Sequence, residues 1–267
     1  MAKELSIKDL EKKASELRIA ALKAISKAGS GHTGSSMSLM DALVTLYYAG
    51  GAEEEDYVIL SKGHGAPAQY AILADKGFFD KSELDHLRQA GALLQGHPVV
   101  KIPGIAVSTG SLGQGFSVAH GIALSLKLDK ENQKVFVVLG DGELQEGIVW
   151  ETAMSAAHYM SNNLIAIVDN NGLQIDGSCK KVMNVQPIRD KFVAFGWRVI
   201  EVVDGHDFEE LIDAVRRARA EERKPVCIWC HTVKGKGVPF AENKVEYHGV
   251  ALSEEEMKVA EAELKCN

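Results

Sequence analysis

Two apolar runs in this chain each stop abruptly at oxygen-bearing residues. Val135 to Leu139 ends at Gly140-Asp141-Gly142, and Leu164 to Val168 ends at Asp169-Asn170-Asn171-Gly172, with 27 residues between Gly142 and Asn170. Asp141, Asn171 and a nearby backbone carbonyl such as that of Leu173 are hard oxygen donors. They suit magnesium or calcium when phosphate oxygens fill the remaining coordination positions. Gly140 and Gly142 let the backbone turn sharply and approach a ligand, leaving N–H groups for anionic oxygens. A helix N-terminus contributes only about 0.3 to 1 kcal/mol toward an anion, so a diphosphate held here requires the cation. A lone Gly-Asp-Gly is more often a tight turn with an Asx cap. The oxygen-rich end of the following run turns the pair into one cavity between consecutive strands.

Imidazoles and small residues supply the other candidates. His32 sits in Gly29-Ser30-Gly31-His32-Thr33-Gly34-Ser35-Ser36, where backbone can come close to a ligand, although an exposed loop histidine explains that stretch equally well. His64 follows a short run, Asp56 to Leu60, in Ser61-Lys62-Gly63-His64-Gly65, and His97 lies in the constrained turn Gln95-Gly96-His97-Pro98. Ser108 to Gly115 is glycine-rich and feeds an apolar helix from about Phe116 to Leu126. Such a loop suits an anion or the close approach of a ring, and packing of the helix start against a neighbour is its structural alternative.

The elements that must position these residues follow from periodicity. Short β-branched runs ended by Gly and Asp/Asn read as buried strands of a parallel sheet: Asp56 to Leu60, Val135 to Leu139, Leu164 to Val168, Trp197 to Val203 and Val226 to His231. Leu10, Ala14, Leu17, Ala21, Ala24 and Ala28 recur at steps of three and four, predicting a helix that ends near Gly29. Further helices are expected over Ser36 to Tyr48, Ala66 to Lys76, Ser82 to Ala90 with Ser82 as N-cap, Gly147 to Met160 as a crossover, Gln186 to Phe195, and Asp207 to Ala220. A last helix is capped by Ser253. Strand and helix alternate, so the expected fold is α/β, a doubly wound, mostly parallel sheet with helices on both faces. Ligands of such sheets bind at the carboxyl ends of strands, which is where Asp141, Asn171 and His64 stand.

Composition bounds the function. The 267 residues suit one large domain spanning 1–267, and 46% hydrophobic with 25% charged residues is ordinary for a globular protein. A net charge of -7 with no long Lys/Arg run argues against nucleic acid as partner. The first residues lack a signal-peptide pattern and no apolar stretch reaches 18 residues, so no membrane role is expected and the location is read as cytoplasmic with reduced cysteines. Cys227-Ile228-Trp229-Cys230-His231 matches a haem-attachment string. On a strand, however, residues three apart point to opposite faces, so the two thiols diverge. No HExxH pattern supports a zinc hydrolase.

Taken together, the loops resemble the N-terminal, diphosphate-binding part of transketolase across almost the whole chain. The resemblance rests on SGH at Ser30 to His32, LSKGHG at Leu60 to Gly65, GHP at Gly96 to Pro98 and GSLGQG at Gly110 to Gly115. GDGELQEG at Gly140 to Gly147, DNNGLQIDG at Asp169 to Gly177, KGKG at Lys234 to Gly237 and YHG at Tyr247 to Gly249 complete it. Gly-Asp-Gly followed at this spacing by Asn-Asn is the thiamine diphosphate motif. The resemblance implies that Asp141, Asn171 and the Leu173 carbonyl hold magnesium, with calcium or manganese able to substitute. It implies that Ser35, Gly110, Ser111, Leu112 and Gly142 line thiamine diphosphate, that Lys234 neutralises phosphate charge, and that His64 and His248 flank the cofactor. His32, His97 and His248 would meet sugar hydroxyls and relay protons near neutral pH, Glu146 would couple cofactor sites across a subunit interface, and Asn170 would shape its loop.

The activity so implied moves a two-carbon ketol unit from a ketose phosphate to an aldose phosphate, with the carbanion chemistry belonging to the cofactor. Full-length transketolases continue into a pyrimidine-binding domain that carries a catalytic glutamate. The expectation is therefore an N-terminal subunit of a split transketolase, active only with a C-terminal partner in an α2β2 hetero-tetramer. Thr33 and Val99 depart from the family pattern beside His32 and His97 and bear on sugar specificity. The alternatives are a ketolase or deoxyxylulose-phosphate-type synthase subunit for another sugar phosphate, or a non-catalytic paralogue.

Overall fold

The computed structural model describes residues 5–266. Its helices are α1 (Ile7–Ala28), α2 (Thr33–Ser38), α3 (Met40–Tyr48), α4 (Ala66–Asp75), α5 (Gln114–Asp129), α6 (Gly147–His158), α7 (Cys179–Val182), α8 (Ile188–Ala194), α9 (Phe208–Arg219) and α10 (Glu254–Cys266). Its strands are β1 (Tyr57–Leu60), β2 (Val135–Gly140), β3 (Leu164–Asn170), β4 (Leu173–Gln174), β5 (Gly177–Ser178), β6 (Arg198–Val202) and β7 (Val226–His231). Five strands form a parallel sheet in the order β1-β2-β3-β7-β6, while β4 and β5 make a separate antiparallel hairpin.

The central strands are apolar throughout because both faces of the sheet are covered. Along β2, Phe136 and Val138 enter the core shared with α1, α3, α4 and α9, whereas Val135, Val137 and Leu139 enter the core shared with α5, α6 and α8. The expected sheet with helices on both faces is the one observed. The same alternation separates the cysteines of β7: Cys227 belongs to the second core and Cys230 to the first, both as free thiols. Burial pushes both thiols up, away from reactive thiolate.

Helix ends agree with the cap signals. Ser6 and Asp9 form a capping box on α1, and Gly29 closes that helix in the left-handed region at φ 61°. Asp207 accepts from the backbone N–H groups of Glu209 and Glu210 at the start of α9, and the Ser253 hydroxyl accepts from Glu256 N at the start of α10. Among the described residues, no helix is long and apolar enough to cross a membrane.

Two expected helices differ. Ser36 to Tyr48 is not continuous: Leu39, at ψ -4°, separates α2 from α3. Hydroxyls account for the interruption, because Ser36 Oγ donates to His32 O and Ser38 Oγ to Asp169, drawing side-chain bonds away from a straight helix. Ser82 to Ala90 is also not an α-helix with a Ser82 cap. Asp80 is the cap, accepting from Ser82 N at 2.8 Å, and a 3-10 turn over Lys81–His86 gives way to an extended Leu87 and a left-handed Arg88.

The register carries the strand ends to one edge of the sheet. Leu60 pairs with Val138, Gly140 with Asp169, and Asn170 with His231. The loops after β1, β2, β3 and β7 therefore emerge side by side.

Candidate functional site

These loops meet the Gly29–Ser38 segment and the chain around Tyr247 at a pocket of about 360 Å³. From the glycine-aspartate turns it receives Asp141, Gly142, Glu146, Asn171 and Leu173, and from the surrounding loops Ser35, Gly110 and Leu112. His32, His64, His97 and His248 complete one wall. Two expected residues do not reach the surface of the pocket. Ser111 stands in the turn before α5, with its carbonyl accepting from Gln114 N, and Lys234 lies fully buried one step behind the wall. Lys234 Nζ donates to Leu173 O at 3.3 Å and to His248 Nδ1 at 2.6 Å. A Cβ at Gly34 would stand 2.9 Å from Lys234 Cε, so the lysine needs a bare backbone beneath it.

The four imidazoles, drawn from loops far apart in the chain, form one cluster. The His32 ring centroid lies 5.0 Å from that of His64, 6.4 Å from His97 and 5.4 Å from His248. Burial lowers all four: His32 to about 4, with Arg88 and His97 adding repulsion, and His248 to about 3, with Lys234 adding to it. His64 is pulled well below its ordinary value by burial and Lys62, and His97 is lowered by burial and Arg88. The rings are thus uncharged at neutral pH in this structure. A neutral imidazole can donate at one ring nitrogen and accept at the other. His248 accepts from Lys234 at Nδ1, which leaves its proton on Nε2.

These shifts have a sign that experiment can read. A histidine whose folded pKa is depressed contributes stability that is present above the unfolded value of 6.5 and lost as pH falls toward the folded value. The melting temperature of the chain is expected to hold above pH 6.5 and to fall by roughly 5 °C or more by pH 5, before most carboxylates titrate. His32→Asn should flatten that slope. A melting temperature constant from pH 7 to 5 would contradict the buried neutral cluster.

The donor set fits a hard divalent cation. Among the described residues, no group of three or more His, Cys, Asp or Glu side chains is arranged to hold a metal; the candidate donors are instead a carboxylate, an amide oxygen and a carbonyl. Asp141 is 3% exposed, with Oδ1 accepting from Gly142 N at 2.9 Å and Oδ2 from Gly172 N at 2.7 Å. Asn171 Oδ1 accepts from Leu173 N at 3.2 Å. Asp141 also accepts a hydrogen bond from the Cys179 thiol, and a carboxylate with three such donors retains acceptor capacity. Burial, followed by the nearby charge of Asp169, pushes the Asp141 carboxyl up; a cation beside it would favour the ionised form. Oxygen donors of this kind match magnesium, calcium or manganese rather than a soft metal.

Other pocket residues escaped the sequence reading. Lys62, only 1% exposed, lines the pocket and pairs with Asp169 at 2.5 Å; Asp169 also accepts from the hydroxyls of Ser38 and Thr232. Burial works against ionisation of Asp169, but Lys62 together with the Ser38 and Thr232 hydroxyls holds the carboxyl below its usual range. Gln174, Ile175 and Asp176 enter from the β4–β5 hairpin, and Glu143 from the turn after Asp141. The Asp-Asn-Asn-Gly string marked the end of β3 but carried no sign of a partner for its first aspartate. Asn170 does not line the pocket; its side chain lies 3.4 Å from His231 Nδ1 at the end of β3, in keeping with a role in shaping the loop.

Comparison with known proteins adds four findings. The family described as transketolase, thiamine diphosphate binding domain, matches residues 10–267. A 6-deoxy-6-sulfo-D-fructose transketolase subunit from Clostridium sp. (strain MSTE9) is 42% identical over 266 residues, covering 96% of each chain. An apulose-4-phosphate transketolase subunit from Phocaeicola vulgatus is 37% identical over 260 residues, covering 94% of this chain and 92% of that one. The crystal structure of transketolase from Campylobacter jejuni superposes with a TM-score of 0.92 at 30% identity, and there the match covers 98% of this chain but 43% of the other.

Proposed function

The chain belongs to the transketolase family, matching its thiamine diphosphate binding domain over residues 10–267, and on that premise we propose that it is the N-terminal subunit of a split, cytoplasmic transketolase. The observation that carries the reading is the convergence of Asp141, Asn171 and Leu173 with four neutral imidazoles on one pocket. The Clostridium and Phocaeicola relatives, matched over nearly their whole length, are named as subunits, which supports dependence on a second polypeptide, and the five-stranded sheet that runs through the described residues supports treating 1–267 as one domain.

When bound, thiamine diphosphate supplies the carbanion chemistry that breaks and makes a carbon–carbon bond beside a carbonyl. The residues here do the holding. Asp141, Asn171 and the Leu173 carbonyl present three hard oxygens for magnesium, and Lys234 steadies the Leu173 carbonyl while adding positive charge beside a diphosphate. Burial, then Lys62, lowers Lys234 to about 8; an anion in the pocket favours its charged form. Gly142, whose N–H donates to Asp141 Oδ1, would line the diphosphate beside that carboxylate. His32, His97 and His248 would present neutral rings to sugar hydroxyls, and His64, whose Nε2 lies 3.1 Å from Ser35 Oγ, would flank the cofactor. Glu146 stands at the N-cap position of α6 with no side-chain bond to the helix, exposed at the rim, consistent with reaching a neighbouring subunit in an α2β2 assembly. The partner would bring the pyrimidine-binding domain and its glutamate.

The donor is a ketose phosphate or a close anionic analogue. The test is ketol transfer by the purified chain alone and with its co-expressed partner, across donors that include xylulose 5-phosphate, 6-deoxy-6-sulfo-D-fructose and apulose 4-phosphate. Transfer by the pair and none by the chain alone is expected. Full activity of the isolated chain would remove the partner from the reading. A pair that binds thiamine diphosphate yet transfers from no donor would favour the non-catalytic alternative.

A further inference from the structure

Glu143 lines the pocket, yet the reaction proposed above uses no part of its side chain. It is 2% exposed, and its carboxylate makes no hydrogen bond to Asp141, Asn171 or Leu173 among the described residues. Both of its oxygens are nevertheless engaged elsewhere. Oε1 accepts from Ser61 Oγ at 2.5 Å and from Gly113 N at 2.8 Å, while Oε2 accepts from Gly140 N at 3.1 Å. The three donors come from three segments that build the pocket: the loop after β1 with Lys62 and His64, the glycine loop with Gly110 and Leu112, and the end of β2 that leads into Asp141 and Gly142.

We propose that Glu143 is a positioning residue that holds these three loop tips in the arrangement that receives the diphosphate end of the cofactor. The inference rests on the reading above for its ligand, but the clamp itself can be observed without one. Its chemistry is specific to a carboxylate. Two of the three donors are backbone N–H groups, which cannot reverse their polarity, and they point at different oxygens. An amide at this position, in either orientation, sets its own N–H₂ against one of those N–H groups and leaves a buried donor without an acceptor. Aspartate is one methylene too short to span the same donors. The loops also touch directly: a Cβ at Gly115 would stand 2.7 Å from Ser61 Cα, and one at Gly63 would stand 3.0 Å from Gly110 N. With backbones this close and almost no side chain between them, the shared carboxylate is what fixes their separation.

The experiment compares wild type, Glu143→Gln and Ser61→Ala by backbone amide exchange on the full chain. It adds thiamine diphosphate titration, with magnesium, of the chain assembled with its partner. Glu143→Gln is expected to speed exchange in the segments around Gly113 and Gly140 while leaving β3 protected. It should also raise the cofactor concentration for half-saturation at least tenfold, with kcat at saturating cofactor within threefold of wild type. Ser61→Ala, which removes one bond and leaves both backbone donors satisfied, should shift half-saturation by about threefold. Unchanged exchange and cofactor affinity in Glu143→Gln would overturn the proposal, as would exchange raised evenly across the whole sheet, which would mark a general stabilising role. If Glu143→Gln fails to fold, Ser61→Ala decides: local exchange and affinity identical to wild type would overturn it. Failure of the wild-type assembly to bind thiamine diphosphate would sink the cofactor reading instead, with the exchange arm still testing the clamp.

Discussion

Asp141→Ala is expected to abolish the joint stabilisation of the chain by thiamine diphosphate and magnesium while leaving the melting temperature of the ligand-free protein within about 3 °C of wild type. The two halves of that expectation have different causes. In the folded chain the Asp141 carboxyl is disfavoured by burial and by the charge of Asp169, so its removal relieves repulsion as well as deleting bonds to Gly142 N and Gly172 N. Gly142 lines the pocket and Gly172 is exposed, so water can take the place of the lost acceptor at both. Cofactor binding has no such substitute. Of the three candidate metal donors Asp141 alone carries a formal charge, and a diphosphate brought to this turn without a cation meets an anion. A loss of at least a hundredfold in affinity, about 2.7 kcal/mol, is expected. Thermal shift with cofactor alone, magnesium alone and both together checks it, in the chain by itself and in the chain bound to its partner. A retained cofactor-plus-magnesium shift in the variant would show that the cation is held elsewhere.

That this residue could be singled out before any coordinates reflects what kind of information survives in one dimension. An apolar run long enough to be buried, cut off by Gly-Asp-Gly, announces both the strand and the end at which ligands gather, and β2 and β3 lie where those runs stand. The alternation that sends Cys227 and Cys230 to different cores is equally local, a property of the pleat. The histidine cluster was accessible only through the resemblance of their flanking strings to a known family. Their isolated loops say nothing about His32 and His64 coming within 5.0 Å of each other. What stayed hidden depends on pairing across distance. Lys62 and Asp169 are 107 residues apart, and nothing beside either names the other. The break at Leu39 has the same origin: Ser38 spends its hydroxyl on Asp169, 131 residues away, where local periodicity favours one helix. The β4–β5 hairpin, two residues to a strand, is too short to leave a periodic trace.

The Lys62–Asp169 pair supplies the second large effect, and it bears on the fold before it bears on the cofactor. Both side chains are almost wholly buried, and the ammonium lies 2.5 Å from a carboxylate whose other contacts are the Ser38 and Thr232 hydroxyls. Lys62→Met keeps most of the volume and removes the only cation among those contacts. Breaking a buried ion pair from one side costs about 3 to 5 kcal/mol, because the remaining charge has lost its compensation. In a chain of this size that corresponds to a melting temperature lower by roughly 10 °C. Asp169→Asn placed in the same chain removes the stranded charge, so the double variant is expected to be more stable than Lys62→Met alone by at least about 1 kcal/mol, the signature of direct coupling in a double-mutant cycle. Denaturant unfolding of the ligand-free wild type, Lys62→Met, Asp169→Asn and the double variant closes the cycle. Additive losses would mean that the two side chains stabilise the protein independently. The same cycle reaches the site, since the Asp169 carbonyl accepts from Asp141 N at 3.2 Å and Asp169 already raises the Asp141 carboxyl. With Lys62 gone, both aspartates bear on each other unscreened, and magnesium should restore more stability to Lys62→Met than to wild type, because only there does the cation replace a missing positive charge.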